Sequence, residues 1–342
     1  MAFRGKEIFV MNKVLVLGAG AWGTTIAKIV SENVSNKVFL WTYEKRLCSL
    51  INAKNINSKY LPKVKLNKKI TAINSLEEID GDIIFIATPS QKVSEVIYKI
   101  KKKNRLFHKR KLTFVICSKG IDAKKKKFLS EIVCEAFQNS QIAVLSGPTF
   151  AMPLAKKMPA AATLATKNKK TSQLLVKLLS RPYFRIYTSS DLIGIQANGV
   201  LKNVLAIAAG ITEGLQLGEN ARAAIISRGI KEISNFVIGI GGKGKTVYGL
   251  SGLGDILLTC TSMSSRNFYF GYQLGSGKKI KSILTKSKHV TEGFDNITLV
   301  YLIAKKFKKE SPIINAVYDI TIRKKPINAI VKKLLLRELK QE

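Results

Sequence analysis

The chain has 342 residues, of which 46% are hydrophobic and 23% charged, and its formal net charge is +36. Because this length exceeds the size at which a single hydrophobic core usually stops growing, the sequence predicts two domains. The apolar content excludes a disordered chain, since a protein of this composition has ample apolar surface to bury.

Residues 1–191 alternate short apolar runs with longer mixed segments, which is typical of β-α-β units around a parallel sheet. The predicted strands lie at residues 14–17, 38–41, 83–87, 114–118 and 143–146. They are rich in Val and Ile and apolar nearly throughout, as strands covered on both faces by helices must be. Ligands of such sheets bind at the carboxyl ends of the strands, so functional residues are expected directly after these runs.

The first predicted strand leads into a glycine-rich turn, Gly18-Ala-Gly20-Ala21-Trp22-Gly23, and then into a helix. In a Rossmann-like domain the first glycine permits a tight turn, the second admits a pyrophosphate close to the backbone, and the third lets helix and strand pack closely. The free N–H groups of the helix then hold the negative charge. The motif predicts a bound dinucleotide, against the alternative of a purely structural turn.

The residue that reads the adenosine ribose is expected near the end of the second strand. Glu44 favours NAD, because a carboxylate accepts a hydrogen bond from the 2′-hydroxyl group. Lys45 and Arg46 beside it could instead hold the 2′-phosphate of NADP. The sequence therefore leaves the choice between NAD and NADP open.

Residues 192–342 predict an all-α C-terminal domain. Long apolar helices are expected at residues 193–217 and 221–240, separated by a turn at Gly218-Glu219-Asn220. Six glycines between Gly241 and Gly254 are too many for a helix interior and indicate tight turns near a ligand. The apolar runs are interrupted by charge, so no membrane span of roughly 20 residues is expected.

Two lysines are candidates for chemistry. Lys119 follows the fourth predicted strand, where it is either a ligand contact or an ordinary surface lysine. Lys202 lies in an otherwise apolar helical segment, and a desolvated lysine is suited to act as a general acid or base. The alternative for Lys202 is a side chain whose stem covers apolar surface while its head reaches water.

The segment after the glycines offers a carboxylate and an anion clamp. Asp255 is expected at the mouth of a helix, as an N-cap or as a catalytic group, with Thr259 one turn later on the same face. Residues 264–267, Ser-Ser265-Arg266-Asn267, supply hydroxyl groups, a guanidinium and an amide, which suit phosphate recognition. The alternative for Arg266 is a surface ion pair.

Taken in order, these motifs resemble the bacterial NAD(P)-dependent glycerol-3-phosphate dehydrogenase family over nearly the whole chain. The likeness is carried by residues 18–24, 118–121, 146–151, 201–204, 252–255, 264–267 and 290–293. It implies the reversible reduction of dihydroxyacetone phosphate to sn-glycerol 3-phosphate by NADH or NADPH, supplying phospholipid synthesis. The fold it implies is a Rossmann-like domain over residues 1–191 and a helical substrate-binding and catalytic domain over residues 192–342.

The resemblance also implies the site residues. Lys202 would exchange the proton of the C2 oxygen, with Lys119 and Asp255 as further catalytic residues. The implied substrate contacts are Lys119, Gly147, Thr149, Lys202, Asp255, Ser265, Arg266 and Asn267. The implied cofactor contacts are Gly18, Gly20, Ala21, Trp22, Gly23, Tyr43, Lys119, Ala151, Arg266, Val290 and Glu292. Thr149 stands where the family often has serine, Pro153 where it has glutamate, and Tyr43 where a basic residue is common.

Cellular context and partners are expected from composition and from the resemblance. Cys48, Cys117, Cys134 and Cys260 are too widely spaced for a zinc site or a disulfide framework, which favours a reducing cytoplasm. The first ten residues lack the apolar core of a signal peptide. We expect a phosphorylated small-molecule substrate, no metal, no specific nucleic acid and a homodimer.

Other functions compete with this assignment. A related two-domain reductase of the 6-phosphogluconate or ketopantoate type would share both domains, although Arg266-Asn267 after Asp255 argues against it. The charge of +36 allows a polyanion-binding protein, or reflects a lysine-rich solvated surface. No nucleic-acid-binding motif supports the former.

Overall fold

The computed structural model describes residues 12–35, 37–77, 79–103, 107, 110–286, 291–307 and 310–338. Its contacts divide the chain into two compact units, Met1–Leu192 and Ile193–Glu342. We call them the N-terminal unit and the C-terminal unit and describe each by itself.

The N-terminal unit is built on an eight-stranded sheet in the order β10-β9-β8-β5-β4-β1-β2-β3. All neighbours are parallel except β8 and β9, which are antiparallel. Two further short strands, β6 and β7, pair antiparallel as a hairpin. The strands are β1 Val14–Leu17, β2 Val38–Trp41, β3 Ile70–Ile73, β4 Ile83–Ile86, β5 Thr113–Ile116, β6 Ile121–Asp122, β7 Lys127–Phe128, β8 Gln141–Ser146, β9 Ala160–Thr166 and β10 Phe184–Ser189.

All five predicted strands are present as β1, β2, β4, β5 and β8, with ends that differ by at most two residues. The sequence pattern missed β3, β9 and β10. β9 is Ala-Ala-Ala-Thr-Leu-Ala-Thr, and alanine is a poor strand former. β10 is an edge strand with mostly exposed or half-buried residues, so it lacks an apolar run. The expected parallel core is confirmed, and the antiparallel β8–β9 pair modifies it.

Helices connect these strands and bury the sheet. All four residues of β1, β4 and β5 are buried, as the apolar runs require. The helices of this unit are α1 Ala21–Ser31, α2 Lys45–Lys54, α3 Ser90–Lys103, α4 Leu129–Ala136, α5 Ala151–Ala155 and α6 Lys169–Leu179. The unit is therefore the α/β, Rossmann-like domain that the sequence predicts.

All named secondary-structure elements in the described residues of the C-terminal unit are helices. Its helices are α7 Leu192–Gly214, α8 Gly218–Gly239, α9 Asp255–Cys260, α10 Arg266–Gly275, α11 Ile280–Lys286, α12 Glu292–Ala304, α13 Pro312–Thr321 and α14 Ile327–Leu335. The prediction of a turn at Gly218-Glu219-Asn220 is wrong, because α8 already begins at Gly218. The chain reverses at residues 215–217, between the two helices. Gln216 in this turn and Gly218 directly after it have φ of 57° and 86°.

The glycine-rich stretch before α9 forms two short helices instead of plain turns. Gly244–Tyr248 is a 3-10 helix and Leu250–Gly254 is a π-helix. A Cβ atom on Gly252 would overlap the carbonyl oxygen of Val247, so the two short helices pack backbone to backbone. This contact explains why glycine is needed inside a helical segment.

One helix of the described residues, α7, is long and apolar enough to cross a membrane. Its most apolar stretch is 83% buried inside the protein. That burial is what a core helix of a folded unit shows, and α7 is packed by α10 through close backbone contacts.

Candidate active site

The glycine-rich loop has the geometry of a phosphate-binding turn. Gly18 adopts φ +113°, and a Cβ atom there would lie 2.8 Å from the Ala87 carbonyl oxygen at the end of β4. A Cβ atom on Gly23 would overlap the Gly18 carbonyl oxygen, so α1 can pack against the turn only if residue 23 is glycine. Gly20 has no atom within 4 Å of such a Cβ position. The first and third glycines are thus needed for packing, and the second leaves open space for a ligand.

A buried asparagine outside the motif holds this loop. Asn57 donates from Nδ2 to the Ala19 carbonyl oxygen and to Thr24 Oγ1, both at 2.8 Å. Gly20 is the N-cap of α1 and has no side chain to accept from the first N–H groups of the helix. Those N–H groups, on the half-buried Ala21 and Trp22 and the buried Gly23, suit an anion such as a pyrophosphate. The sequence does not single out Asn57, because nothing local distinguishes it from other asparagines.

The end of β2 presents an exposed aromatic ring and a tethered carboxylate. Tyr43 is 85% exposed, and its carbonyl oxygen accepts from Asn74 Nδ2. Glu44 accepts from Lys59 Nζ at 2.7 Å and from the Tyr60 hydroxyl at 2.8 Å. The hydrogen bond from Lys59, followed by that from Tyr60, holds the pKa of the Glu44 carboxyl below its usual value. Both cofactor forms remain compatible with this end, because Lys45 and Arg46 are exposed beside the carboxylate.

The remaining predicted residues of this unit follow β5 and β8, at the same edge of the sheet as the glycine-rich loop. Lys119 is half-buried three residues after β5. Gly147 directly follows β8, and Thr149 Oγ1 donates to its carbonyl oxygen at 3.2 Å. The Ala151 carbonyl oxygen accepts from Thr25 Oγ1 at 3.1 Å, which ties the start of α5 to α1.

Three buried hydroxyl groups at this edge were not predicted. Thr88 and Ser90 follow β4 and Ser146 ends β8, and their hydroxyl oxygens have no hydrogen-bond partner within the described part of the chain. A buried hydroxyl group without a partner is costly, so such groups mark a place where a ligand or water binds. Their position directly after apolar strands was the available signal.

The C-terminal unit contains a buried lysine cluster. Lys202 is 6% exposed on α7, and its Nζ atom lies 2.6 Å from Asp255 Oδ1 and 2.8 Å from Thr259 Oγ1. Asp255 and Thr259 are buried on α9, one turn apart. The alternative in which the lysine head reaches water is therefore wrong. The N-cap alternative for Asp255 is also wrong, since Gly254 is the N-cap and the Asp255 carboxylate accepts from the lysine.

A second polar network begins at Asn203, the residue after Lys202. Asn203 donates from Nδ2 to Glu292 Oε2 at 3.4 Å. The Oδ1 atom of Asn267 accepts from the Gly293 N–H at 2.9 Å. A Cβ atom on Gly293 would lie 2.6 Å from the Asn203 carbonyl oxygen, so glycine is required at this contact. The structure thereby brings Asn267 and Glu292 together, while Val290 lies outside the described residues.

The expected phosphate clamp sits at the start of α10. The Ser265 side chain is the N-cap and accepts from the Phe268 N–H at 3.3 Å. Arg266 is exposed and has no ion-pair partner among the residues that the structure describes. The surface ion pair considered as an alternative is thus not formed with any of the described residues.

Comparison with known proteins identifies the family. The model for the N-terminus of NAD-dependent glycerol-3-phosphate dehydrogenase matches residues 13–172, and the model for its C-terminus matches residues 191–332. The chain belongs to the NAD-dependent glycerol-3-phosphate dehydrogenase family. A glycerol-3-phosphate dehydrogenase [NAD(P)+] from Zymomonas mobilis is 40% identical over 96% of this chain and 94% of its own.

Solved structures agree with this family membership. The glycerol-3-phosphate dehydrogenase of Coxiella burnetii is 36% identical and covers 96% of this chain and 99% of its own, with a TM-score of 0.89. The yeast enzyme is 28% identical, covers 94% of this chain and 99% of its own, and has a TM-score of 0.81. A ketopantoate reductase from Ralstonia eutropha, at 13% identity and a TM-score of 0.57, shares the fold alone. The chain is therefore an NAD(P)-dependent oxidoreductase of the glycerol-3-phosphate dehydrogenase family, not a reductase of the 6-phosphogluconate or ketopantoate type.

Proposed function

We propose that the protein catalyses the reversible reduction of dihydroxyacetone phosphate to sn-glycerol 3-phosphate with NADH or NADPH. The observation that carries this proposal is the buried Lys202–Asp255–Thr259 cluster in a chain of this family. The proposal includes a cytoplasmic homodimer that supplies glycerol 3-phosphate to phospholipid synthesis.

The N-terminal unit is proposed to bind the dinucleotide. The open space at Gly20 and the uncapped start of α1 fit a pyrophosphate, and a side chain at Gly20 would fill that space. The exposed Tyr43 ring would contact the adenosine end, and Ala151 and Lys119 the remainder of the cofactor. When bound, the nicotinamide ring supplies the hydride that reduces C2 of the substrate.

The C-terminal unit is proposed to supply the proton and the phosphate clamp. As C2 gains the hydride, Lys202 donates a proton from Nζ to the C2 oxygen, which converts the ketone to an alcohol. Asp255 and Thr259 orient the Nζ atom, and Asp255 stabilises the ammonium form before transfer. Arg266 and the Asn267 amide nitrogen would hold the phosphate, since the Asn267 oxygen already accepts from Gly293.

The proposal is tested by comparing the purified chain with its Lys202→Ala variant. We expect the unmodified chain to oxidise NADH or NADPH with dihydroxyacetone phosphate, and the variant to lose about two orders of magnitude in kcat or more, the scale of general acid-base loss. Nucleotide binding, measured by the fluorescence of the reduced ring, should remain. Oxidation of the reduced nucleotide only with another ketone would contradict the proposed substrate. Near-normal turnover of Lys202→Ala would contradict the proton-donor role of Lys202.

A further inference from the structure

The segment over residues 242–255 runs along one face of α7. A Cβ atom on Gly242 would lie 3.0 Å from the Gly194 nitrogen. Four residues later on α7, Asn198 donates from Nδ2 to the Thr246 carbonyl oxygen at 3.2 Å. One further turn on, Lys202 binds Asp255. Because residues four apart lie on the same face of a helix, successive turns of α7 contact successive parts of this segment.

Asn198 is the polar contact in the middle of this series. It is fully buried, and the carbonyl oxygen that it contacts belongs to the 3-10 helix Gly244–Tyr248. That 3-10 helix packs tightly on the π-helix Leu250–Gly254 through Gly252, and the π-helix leads directly into Asp255. A hydrogen bond at Asn198 therefore fixes the segment that carries the partner of Lys202.

Stability alone does not account for an asparagine at this position. Its Oδ1 atom is buried without a hydrogen-bond partner in the described part of the chain. A typical hydrogen bond such as that to Thr246 contributes about 1 kcal/mol, whereas a buried unpaired oxygen costs about 1 to 3 kcal/mol. A leucine of similar shape would avoid both terms, and the Thr246 carbonyl oxygen would still accept from the Gly249 N–H at 3.4 Å, so the folding free energy gives no clear preference for asparagine.

We infer that Asn198 is a positioning residue, which holds residues 242–255 so that the Asp255 carboxylate stays within hydrogen-bond distance of the Lys202 ammonium. The inference rests on the proton-donor role proposed for Lys202. By holding the Asp255 carboxylate in place, Asn198 keeps the ammonium form of Lys202 favoured during reduction.

The test compares Asn198→Leu with the unmodified chain in the reduction of dihydroxyacetone phosphate across pH. Loss of the Thr246 bond should lower kcat about tenfold, because small misplacements of catalytic groups are costly. Activity in this direction requires the ammonium form of Lys202, and a carboxylate held less closely stabilises that form less. We therefore expect the alkaline limb of the pH profile to move to lower pH, while the Kd of the reduced nucleotide stays unchanged.

Thr212→Val is the matched control. Thr212 is buried on the same helix and donates from Oγ1 to the Ala208 carbonyl oxygen, away from the segment. It should change the melting temperature without moving the pH profile. Should Asn198→Leu not fold, Asn198→Ala is assayed in its place.

The inference is overturned by an unmoved alkaline limb in the Asn198 variant, even where its melting temperature falls. An unmodified chain without activity on dihydroxyacetone phosphate would instead refute the proposed function. The two failures are therefore distinguishable.

Discussion

At the scale of single residues, burial determines how an ionisable side chain behaves. Lys202 and Glu232 show this, since both are ionisable groups inside the C-terminal unit. Lys202 has the Asp255 carboxylate as a partner. Glu232, on α8, instead accepts from the N–H groups of Ile313 and Ile314 at the start of α13, at 2.8 and 3.2 Å. Such groups make stability depend on pH.

The Glu232 carboxyl is expected to destabilise the fold as pH rises. Burial, opposed by the two backbone hydrogen bonds, raises the pKa from 4.5 to about 7. Because the pKa is raised in the folded state, the protonated carboxyl contributes its full stabilisation below pH 4.5. This contribution to the free energy of unfolding, about 3 kcal/mol, is lost as pH rises through 7. Thermal unfolding should therefore show the melting temperature of the unmodified chain falling relative to Glu232→Gln between pH 4.5 and 8.

Glu219→Gln serves as the control for this measurement. Glu219 lies on the same helix with a side chain that is 92% exposed, so its replacement should give no comparable trend. A difference between Glu232→Gln and the unmodified chain that does not vary with pH would contradict the prediction.

At the scale of elements, α7 and α10 cross at backbone contact. Gly210 and Gly214 on α7 face Gly271 and Gly275 on α10 with four-residue spacing. A Cβ atom on any of the four would overlap a carbonyl oxygen of the opposite helix. The close approach sets the position of α10, whose first turn carries Arg266 and Asn267.

Gly271→Ala is expected to destabilise the protein. Alanine favours the helix over glycine by about 1 kcal/mol, but overpacking against the Ile207 carbonyl oxygen costs about 1 to 3 kcal/mol or more. The rigid backbone cannot move aside, so the second effect should win and the melting temperature should fall. Gly249→Ala is the control, because its added Cβ atom would meet only an ordinary contact of 3.6 Å. A stabilised Gly271→Ala variant would show that the helices do not approach this closely.

At the scale of the whole molecule, charge is the dominant feature. There are 58 basic and 22 acidic residues, so at least 36 cationic side chains lack a carboxylate of their own even when every acid is paired. Several acids already serve two cations, as Glu135 does for Lys125 and Lys127. Like charges therefore repel across the surface and destabilise the compact state.

Added salt should raise the melting temperature. Screening shortens the range of the repulsion from about 10 Å at 0.1 M to about 3 Å at 1 M. In thermal unfolding with sodium chloride, we expect most of the increase below about 0.3 M. A neutral osmolyte at equal osmolality is the control, because it leaves the charges unscreened. A melting temperature that falls with salt would show that attractive ion pairs outweigh the repulsion.

Local features of this protein follow from the order of its amino acids. Strands β1, β2, β4, β5 and β8, the long helices and the glycine-rich turn follow from the spacing of apolar residues and glycines. The burial of Lys202 was predictable because its neighbours along the helix are apolar.

Contacts between distant groups depend instead on how the elements pack in three dimensions. Lys202 and Asp255 are 53 residues apart, and the sequence could not separate a catalytic partner from a helix cap at Asp255. The antiparallel β9, the Asn57 support of the glycine-rich loop and the Asn198 contact with Thr246 were likewise missed. Periodicity records which face of an element is buried, whereas partners across the fold depend on how the faces pack.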